Sequence, residues 1–575
     1  NYSGSIVNGS GKNITVSAEG SAYGMMAISG SNGGKNFTDV ESAVDNRGSI
    51  TVTAGDTAYG IYSTVKGDVK NSGKITINGA GYGIFNQNGS VNSSGSIIVA
   101  GTGEKGSYGI YAEAEAGSGN KITNAADITM TFAPEEEGGD DEEEQPTLPA
   151  NYGIYGWNVD IENSGSVSIT QQNEKSEDVF GIVSEESSIN NSGTVVINGN
   201  GSAVYAGGGS LTNSGSITLN GDGYGLIAED GDLTNSGSIT VFGSGYGIYG
   251  KGSIDNSGNI AIHAENDVAP VYGIYGQNGS VIDNEGQINI ASSKAVNTSA
   301  VFGIYGNSAE INNNGSIKIG DGGNLFNAAT GIRADNKNVN NSGTVRIYGA
   351  GTAISAENGN IVNNSGGGIT MVISGAADSY GIYLAGRGSN TLTNNATVKV
   401  NRSSAYAEGK KAVALYAENG SINNSGALEV GAKDAVINGG IGIETDGGNV
   451  TNGGTITVYG NGSAIKAADG SITNNASATV YGNGSVLNGQ NGNVTNNEKG
   501  QLNIYTDGKA SAYGIYLAGS TGNTITNKAS IFINRYGAYA QAASTGNYGI
   551  WTDNAKIVNS GDISLGSSTA GLSGI

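Results

Sequence analysis

Short runs of alternating apolar and polar residues recur along the chain, and glycine-rich turns separate them. In the run Ser-Ile-Thr-Leu at 216–219, Ile217 and Leu219 fall on one face and Thr218 on the other, because successive side chains of a strand point to opposite faces. The runs lack the period of an amphipathic helix. The pattern therefore predicts short β-strands with one buried face.

These strands belong to a repeat whose clearest copies lie between Asn191 and Asn256. The copies read NSGTVVINGNGSAVYAGGGSLT, NSGSITLNGDGYGLIAEDGDLT and NSGSITVFGSGYGIYGKGSID, with periods of 22, 22 and 21 residues. Each contains Asn-Ser-Gly, a first β run, a Gly-x-Gly turn, a second β run of Tyr-Gly-Ile-Tyr type, another turn and a third β run. A fixed period of this size, filled by short strands, predicts one solenoid coil per copy.

The Asn that opens each copy has equivalents throughout the chain. They are Asn46, Asn71, Ser93, Asn124, Asn163, Asn191, Asn213, Asn235, Asn256, Asn284, Asn313, Asn341, Asn364, Asn394, Asn424, Asn452, Asn474, Asn496, Asn527 and Asn559. We therefore predict an all-β fold, a parallel β-helix (β-solenoid) of about 20 coils, with three short strands per coil and a minimum period of 21–22 residues. We expect it to form one continuous domain over residues 1–575.

The repeated Asn is expected to point into the core. In the run Leu-Thr-Asn at 211–213, Asn213 lies on the parity of Leu211. Stacked amides can satisfy their donors and acceptors on the coils above and below. We predict such a core ladder, with its clearest members at Asn163, Asn191, Asn213, Asn235 and Asn256. The Gly that follows is expected to supply a positive φ at the corner.

The second strand carries aromatic residues at two positions. In Tyr-Gly-Ile-Tyr at 246–249, parity places Tyr246 with Ile248, and Gly247 with Tyr249. The equivalents of Tyr249 in three other coils are charged: Arg333, Glu444 and Lys466. Because charge favours solvent, the Ile position is predicted to be buried and the Tyr249 position to be exposed.

The outward position would give an exposed aromatic stripe. Its predicted members are Tyr62, Phe85, Tyr111, Tyr155, Tyr205, Tyr249, Tyr275, Tyr305, Tyr383, Tyr416, Tyr516 and Trp551. The stripe is clearest at Tyr205, Tyr249, Tyr275 and Tyr305. It could bind glycans or a neighbouring rod, or it could reflect cross-strand packing, which favours Tyr. Both interpretations remain open.

Composition refines this description. The 575 residues include 100 Gly and 4 Pro, and 37% are hydrophobic, which suits a thin core repeated many times. With a formal net charge of −23 and no basic run, nucleic acid is not an expected partner, and without a long apolar run no membrane contact is expected within this segment. The chain has no Cys, so disulfides and thiolate chemistry are excluded.

One acidic, Pro-containing segment, residues 133–150, is predicted to be a loop inserted into a coil. We expect a solvated surface loop, with cation binding as the alternative, since carboxylates are ligands of hard cations such as calcium. The weak candidate ligands are Glu135, Glu136, Glu137, Asp140, Asp141, Glu142, Glu143 and Glu144.

No catalytic constellation is expected. The single His263 cannot build a His-based zinc site or a Ser-His-Asp triad. Neighbouring acids such as Asp160, Glu162, Glu185 and Glu186 are scattered over turns. We therefore predict a protein that is not an enzyme and needs no cofactor or metal. The alternative is a β-helical polysaccharide-degrading enzyme, which would need paired acids.

The phrases NSGSITV, GSGYGIY and GSIDN resemble the passenger regions of bacterial autotransporters and related filamentous adhesins. The resemblance covers essentially the whole chain, but its motif is structural and specifies architecture better than activity. It implies a right-handed β-helical stalk that is secreted and displayed at the bacterial cell surface. It also implies a role in adhesion, aggregation or surface coating, with host or neighbouring-cell glycans or proteins as partners.

The ends of the chain suggest self-assembly. Asn1 begins inside a repeat-like phrase, and neither that end nor Ile575 carries a recognisable cap. Uncapped solenoid ends expose unpaired backbone groups, so we expect more chain beyond them or end-to-end joining into a homo-oligomeric filament. A viral fibre is a further alternative, and it would favour a trimer of solenoids.

Overall fold

The computed structural model describes most of the chain, as strands and turns without a helix in the described part. The described residues are 4–28, 31–32, 35–36, 42–101, 106–133, 150–171, 179–264, 269–277, 279–386, 390–404, 406–506, 509–519, 521–535, 546–566 and 572–573. They divide into two compact units. Unit 1 comprises Asn1–Asn266 and Gly273–Ser280, and unit 2 comprises Asp267–Tyr272 and Val281–Ile575.

Within each unit the chain winds through coils of three strands, here termed first, second and third. Each strand pairs in parallel with its equivalent one repeat later, as Ile217 does with Ile239 and Asn213 with Asn235. The predicted parallel all-β solenoid is therefore confirmed, while the handedness of the coil stays a prediction. No helix in the described ranges is long and apolar enough to cross a membrane.

In unit 1 the strands follow this order coil after coil. The first strands are Asn13–Ala18, Ser49–Ala54, Lys74–Asn78, Ile97–Gly101, Asp127–Phe132, Ser166–Gln171, Thr194–Asn198, Ser216–Asn220, Ser238–Phe242 and Asn259–Ala264. The second strands are Ala22–Ala27, Ala58–Ser63, Gly81–Gln87, Tyr108–Glu113, Asn151–Trp157, Val179–Glu185, Gly201–Ala206, Gly223–Ala228, Gly245–Gly250 and Val271–Gln277, whose residues 271 and 272 belong to unit 2. The third strands are Gly4–Asn8, Ser42–Asn46, Val69–Asn71, Val91–Ser93, Lys121–Asn124, Asp160–Asn163, Ile189–Asn191, Leu211–Asn213, Leu233–Asn235 and Ile254–Asn256. A small antiparallel pair, Ser31–Asn32 and Lys35–Asn36, lies outside these rows.

Unit 2 repeats the arrangement. Its third strands are Val281–Asn284, Glu310–Asn313, Val339–Asn341, Ile361–Asn363, Thr391–Asn394, Ser421–Asn424, Val450–Asn452, Ile472–Asn474, Val494–Asn496, Thr524–Asn527 and Lys556–Asn559. Its first strands are Gln287–Ser292, Ser316–Ile319, Thr344–Glu357 (which continues as a second strand), Ile369–Ile373, Val398–Arg402, Leu428–Val430, Ile456–Tyr459, Ala478–Tyr481, Leu502–Thr506, Ile531–Arg535 and Ile563–Leu565. Its other second strands are Val301–Asn307, Leu325–Asp335, Ser379–Ala385, Ala412–Ala417, Gly440–Thr445, Gly462–Ala468, Gly484–Gln490, Ala512–Ala518, Asn547–Thr552 and Leu572–Ser573, and Val296–Asn297 pairs beside Leu325.

The first strands alternate as predicted. Ile217 and Leu219 are fully buried, and Thr218 between them is half-buried on the outer side. Each coil therefore contributes only a few Ile, Val or Leu side chains to the core. Such a core becomes continuous only because the next coil covers it.

The second strands do not alternate as predicted. Gly247 and Ile248 are both buried, whereas Tyr246 and Tyr249 are both half-exposed and meet edge to face with ring centroids 5.8 Å apart. The prediction that Tyr246 shares the buried face of Ile248 is therefore wrong. The strand turns its bare backbone inward at Gly247, where a Cβ would lie 2.5 Å from Cγ2 of Ile260.

The corner glycines also differ from expectation. Gly215 does not have a positive φ; instead, a Cβ there would lie 1.9 Å from the carbonyl oxygen of Gly193 in the preceding coil, so glycine permits close stacking of the backbones. Positive φ occurs in the turn between first and second strands, where Gly223 has a φ of 144°. A Cβ at Gly223 would lie 1.9 Å from the carbonyl oxygen of Gly201.

We expect Gly223→Ala to destabilise unit 1 by about 1–3 kcal/mol, because the substitution adds a Cβ to a backbone conformation that L residues disfavour. Urea unfolding followed by circular dichroism measures the change. Asn220→Ala, at an exposed position of the same coil, is the control and should shift the midpoint little. An unchanged midpoint for Gly223→Ala would contradict the strained turn.

Candidate functional site: the core ladder and the outer aromatic face

An amide ladder runs through the third-strand corners of unit 1. The Nδ2 of Asn163 donates to Oδ1 of Asn191 at 2.7 Å, and the same bond joins Asn191 to Asn213 and Asn213 to Asn235 at 2.8 Å and Asn235 to Asn256 at 2.7 Å. All five side chains are buried. Asn8, Asn46 and Asn71 form a further run, in which Asn71 donates to the hydroxyl of Ser93 at 3.3 Å.

Unit 2 has its own ladder, which corrects one position. The Nδ2 of Asn341 donates to Asn363, which donates to Asn394, both at 2.7 Å. The sequence prediction placed Asn364 here because it opens the phrase Asn-Ser-Gly. Asn364 instead lies one residue beyond the strand end, and its Nδ2 donates to Oγ of Ser342 at 3.1 Å. Two adjacent Asn residues made the register ambiguous.

The ladder uses both kinds of amide atom. In Asn191, Oδ1 accepts from Asn163, while Nδ2 donates to Asn213 and reaches the carbonyl oxygen of Gly193 at 3.4 Å. Buried polar groups are tolerated when they are hydrogen-bonded. An identical Asn in each coil therefore satisfies itself, since Asn carries both a donor and an acceptor.

Two rows of aromatic rings cover the outer side of the second strands in unit 1. In one row Tyr59, Tyr82 and Tyr108 stack with centroids 5.0 and 4.8 Å apart. In the other, Phe85 and Tyr111 stack at 5.0 Å. We call the whole surface the outer aromatic face. Its residues are Tyr23, Tyr59, Tyr62, Tyr82, Phe85, Tyr108, Tyr111, Tyr152, Tyr155 and Phe180.

The two rows interlock. Tyr82 meets Phe85 edge to face, with centroids 5.4 Å apart and planes at 87°. Because rings in a row stack on one another, the outer side presents ring edges and hydroxyls rather than open ring faces. Edge-to-face and offset contacts are the favoured aromatic geometries, so cross-strand packing accounts for much of this surface.

Sequence reasoning missed the row that contains Tyr59, Tyr82 and Tyr108. A signal for it exists, because Ser202 and Ser463 occupy the same strand position in other coils. A polar residue there marks an outward position. Small apolar residues at the next position, where the aromatic coils have Gly, would have marked that position as inward.

The four clearest predicted members of the stripe all lie on the outer side and are half-buried. Tyr249 and Tyr275 stack with centroids 5.6 Å apart. Tyr205 lies between Val183 and Ile227, so aliphatic residues interrupt the stripe there. These members are Tyr205, Tyr249, Tyr275 and Tyr305.

In unit 2 the aromatic residues are joined to charged ones. The hydroxyl of Tyr305 donates to Asp335 at 2.6 Å, and the guanidinium of Arg333 lies 5.6 Å from the centre of its ring. Tyr383 donates to Glu418 at 2.7 Å. In Tyr383, burial and the hydrogen bond to Glu418 both raise the pKa of the phenol.

Two outward residues of unit 2 are not exposed as predicted. Glu444 is only 1% exposed, and its carboxylate lies 2.7 Å from Nζ of Lys466 and 3.4 Å from Nζ of Lys411. Tyr416 is 5% exposed and donates to Asp446 at 2.5 Å. Flanking lysines compensate the desolvated carboxylate, which is why charge at this position did not mean solvent.

The remaining candidates form no site. The acidic candidates from Glu135 to Glu144 lie outside the described residues. His263 is on the outer side and stacks on Phe242, with centroids 4.6 Å apart. Among the residues that the structure describes, no group of three or more His, Cys, Asp or Glu side chains could hold a metal ion.

Comparisons with protein-family models, curated proteins and solved structures found no match. The functional argument therefore depends on the geometry of the chain itself.

We expect Asn213→Ala to destabilise unit 1 by about 2–4 kcal/mol, because it leaves the amide donor of Asn191 and the acceptor of Asn235 buried without partners, at roughly 1–3 kcal/mol each. Hydrogen exchange of the adjoining third strands and the urea midpoint measure the loss. The exposed Thr212→Ala is the control. Equal protection in the two variants would contradict a structural role for the ladder.

The outer aromatic face predicts late ionisation of tyrosine. Burial, followed by the neighbouring tyrosines, raises the pKa of Tyr59 to about 12, and burial also raises the pKa of Tyr155 to about 12. Since the folded chain holds these protons more tightly, their contribution to stability is complete below about pH 10 and is lost as the pH rises through about 12.

Absorbance at 295 nm during alkaline titration checks this. The folded chain should show a late step, which Tyr59→Phe reduces, whereas the urea-unfolded chain should titrate in one step near pH 10. A single step near pH 10 in the folded chain would show that the rings are not desolvated.

Proposed function

We propose that the chain is the structural and adhesive rod of a bacterial surface fibre. In this proposal it is extracellular, associates with other copies of itself, and mediates adhesion, aggregation or surface coating. The observation that carries the proposal is the outer aromatic face, together with its regular repeat. The resemblance to autotransporter passengers and filamentous adhesins supports the cellular setting.

The regular spacing favours a second copy as the partner. Equivalent rings in this face recur every 4.8–5.2 Å, as between Tyr82 and Tyr108 and between Tyr111 and Tyr155. Another copy presents the same spacing, so contacts between two such faces repeat in register. Many weak contacts then add up without a deep pocket, as in multivalent binding.

The core supports the same role. Each Asn of the ladder bonds to the coil before and the coil after it, so every coil holds its neighbours through side chains as well as strand pairing. Stability in such a chain is a sum of coil and interface contributions. A scaffold that maintains a constant outer pattern over many coils suits a structural protein that displays its surface to other cells, to their glycans or to their proteins.

Clumping of coated beads tests the proposal. Beads carrying the full chain should aggregate, and Tyr82→Ser combined with Tyr108→Ser and Tyr152→Ser should reduce aggregation at least about tenfold, since edge contacts of the rings are lost. Serine is suitable because Ser202 and Ser485 occupy the same strand position elsewhere.

The matched control changes three exposed third-strand residues, Asn190→Ser, Thr212→Ser and Thr234→Ser, and should leave clumping intact. Circular dichroism verifies that both variants fold. Beads that never clump, together with a monodisperse monomer by light scattering and no filaments in electron micrographs, would contradict the fibre. Release of sugars from polysaccharides by the chain would instead favour the enzyme alternative.

A further inference from the structure

A trough of about 680 Å³ lies on unit 2, beside the turns that join first to second strands. Its wall is a row of three tyrosines, Tyr459, Tyr481 and Tyr505, which stack with centroids 4.8 and 4.9 Å apart. These residues point outward because they alternate with buried residues such as Val458 and Val480. The volume is in the range of ligand-binding pockets.

Unequal turn lengths create the trough. After Tyr459 and Tyr481 the second strands begin at once, at Gly462 and Gly484. In the coil before, the first strand ends at Val430 and the second begins only at Gly440, and in the coil that contains Tyr505 the second strand begins at Ala512. The two longer turns contribute lining residues at the two ends, so two short-turn coils lie recessed between them.

Each end carries a lysine. Lys433 and Val436 line the trough from the turn before Gly440, and Lys509 lines it from the turn before Ala512. Among the described residues that line it, none is a carboxylate. The nearest acid in the hydrogen-bond network is Glu408, which accepts from Nδ2 of Asn438 at 2.9 Å. Two cations in one recess contrast with the formal net charge of −23 for the chain.

The groups between the lysines are mainly donors. The Oδ1 of Asn461 is already used, since it accepts from the backbone N–H of Asn483 at 2.8 Å, so its amide NH₂ is the part available to a ligand. Burial and the adjacent rings of Tyr459 and Tyr505 raise the pKa of Tyr481, so its hydroxyl stays protonated at neutral pH. The exposed ring edges carry positive partial charge.

We propose that this trough binds a short acidic oligosaccharide along the row of tyrosines. Lys433 and Lys509 pair with anionic groups at its two ends, and Tyr481 and Asn461 donate to sugar oxygens between them. An acidic sugar chain supplies acceptors along its whole length, which matches the donors of the trough. A flat aromatic ligand or a neutral sugar would need open ring faces, and these faces are covered by stacking.

This inference goes beyond the proposed fibre role, because it concerns one recess of unit 2 and not the outer aromatic face of unit 1. The two fail separately. Loss of bead clumping tests the aromatic face, whereas the trough is tested by ligand binding to the dispersed chain.

Isothermal titration calorimetry of the full chain tests the trough. The probes are a galacturonic acid tetramer, a sulfated heparin tetrasaccharide and a neutral cellotetraose. We expect the anionic probes to bind and the neutral one to bind at least about tenfold more weakly. Binding should weaken as salt rises, since salt screens exposed charge pairs. Preference for carboxylate or sulfate identifies the source of the anionic group.

Three variants locate the binding. Lys433→Gln with Lys509→Gln should weaken affinity at least about tenfold. Tyr481→Phe, which keeps the stack and removes one hydroxyl, should weaken it by a smaller factor. Lys337→Gln, at an exposed position elsewhere in unit 2, is the charge-matched control and should bind as the parent chain does. Absence of binding by the anionic probes, equal binding of the neutral probe, or equal affinity of the double lysine variant and its control would overturn the proposal.

Discussion

Parallel stacking of one coil on the next, at the spacing of hydrogen-bonded strands, is the constraint on which the other features of each unit depend. It places every residue directly beside its equivalent in the neighbouring coils, as the pairing of Asn213 with both Asn191 and Asn235 shows. A residue type can therefore persist at a position only if it packs favourably against itself or against what the next coil supplies.

The residue types in the chain follow from this constraint. Asn satisfies itself because its amide both donates and accepts, and Tyr packs on itself through its ring faces. Like charges would repel, and the chain instead alternates sign between coils. Lys399 pairs with Glu429 at 3.2 Å, and Glu444 lies between Lys411 and Lys466. Such alternation lets a charged residue lie on the outer side without an unpaired neighbour.

Function in this architecture has two sources. Uniform coils give a surface that repeats, which suits association with a partner of the same spacing, as proposed for the outer aromatic face. Departures from uniformity give local sites. The trough beside Tyr481 exists because two coils with short turns lie between coils with longer ones, so a single recess with two lysines appears in an otherwise repetitive surface.

The sequence by itself determined the repeat, the three-strand coil, the buried face of the first strands and the inward Asn. These features depend on local alternation and on the period, which are visible along the chain. Only the tertiary structure decided that Tyr246 faces outward, that Asn363 rather than Asn364 joins the ladder, and that Glu444 and Tyr416 are covered. Each of these depends on a change of backbone direction at glycine, on register at a strand end, or on side chains from neighbouring coils. The physical reason is that alternation fixes a face only while the strand stays regular, whereas burial is decided by what the next coil places against it.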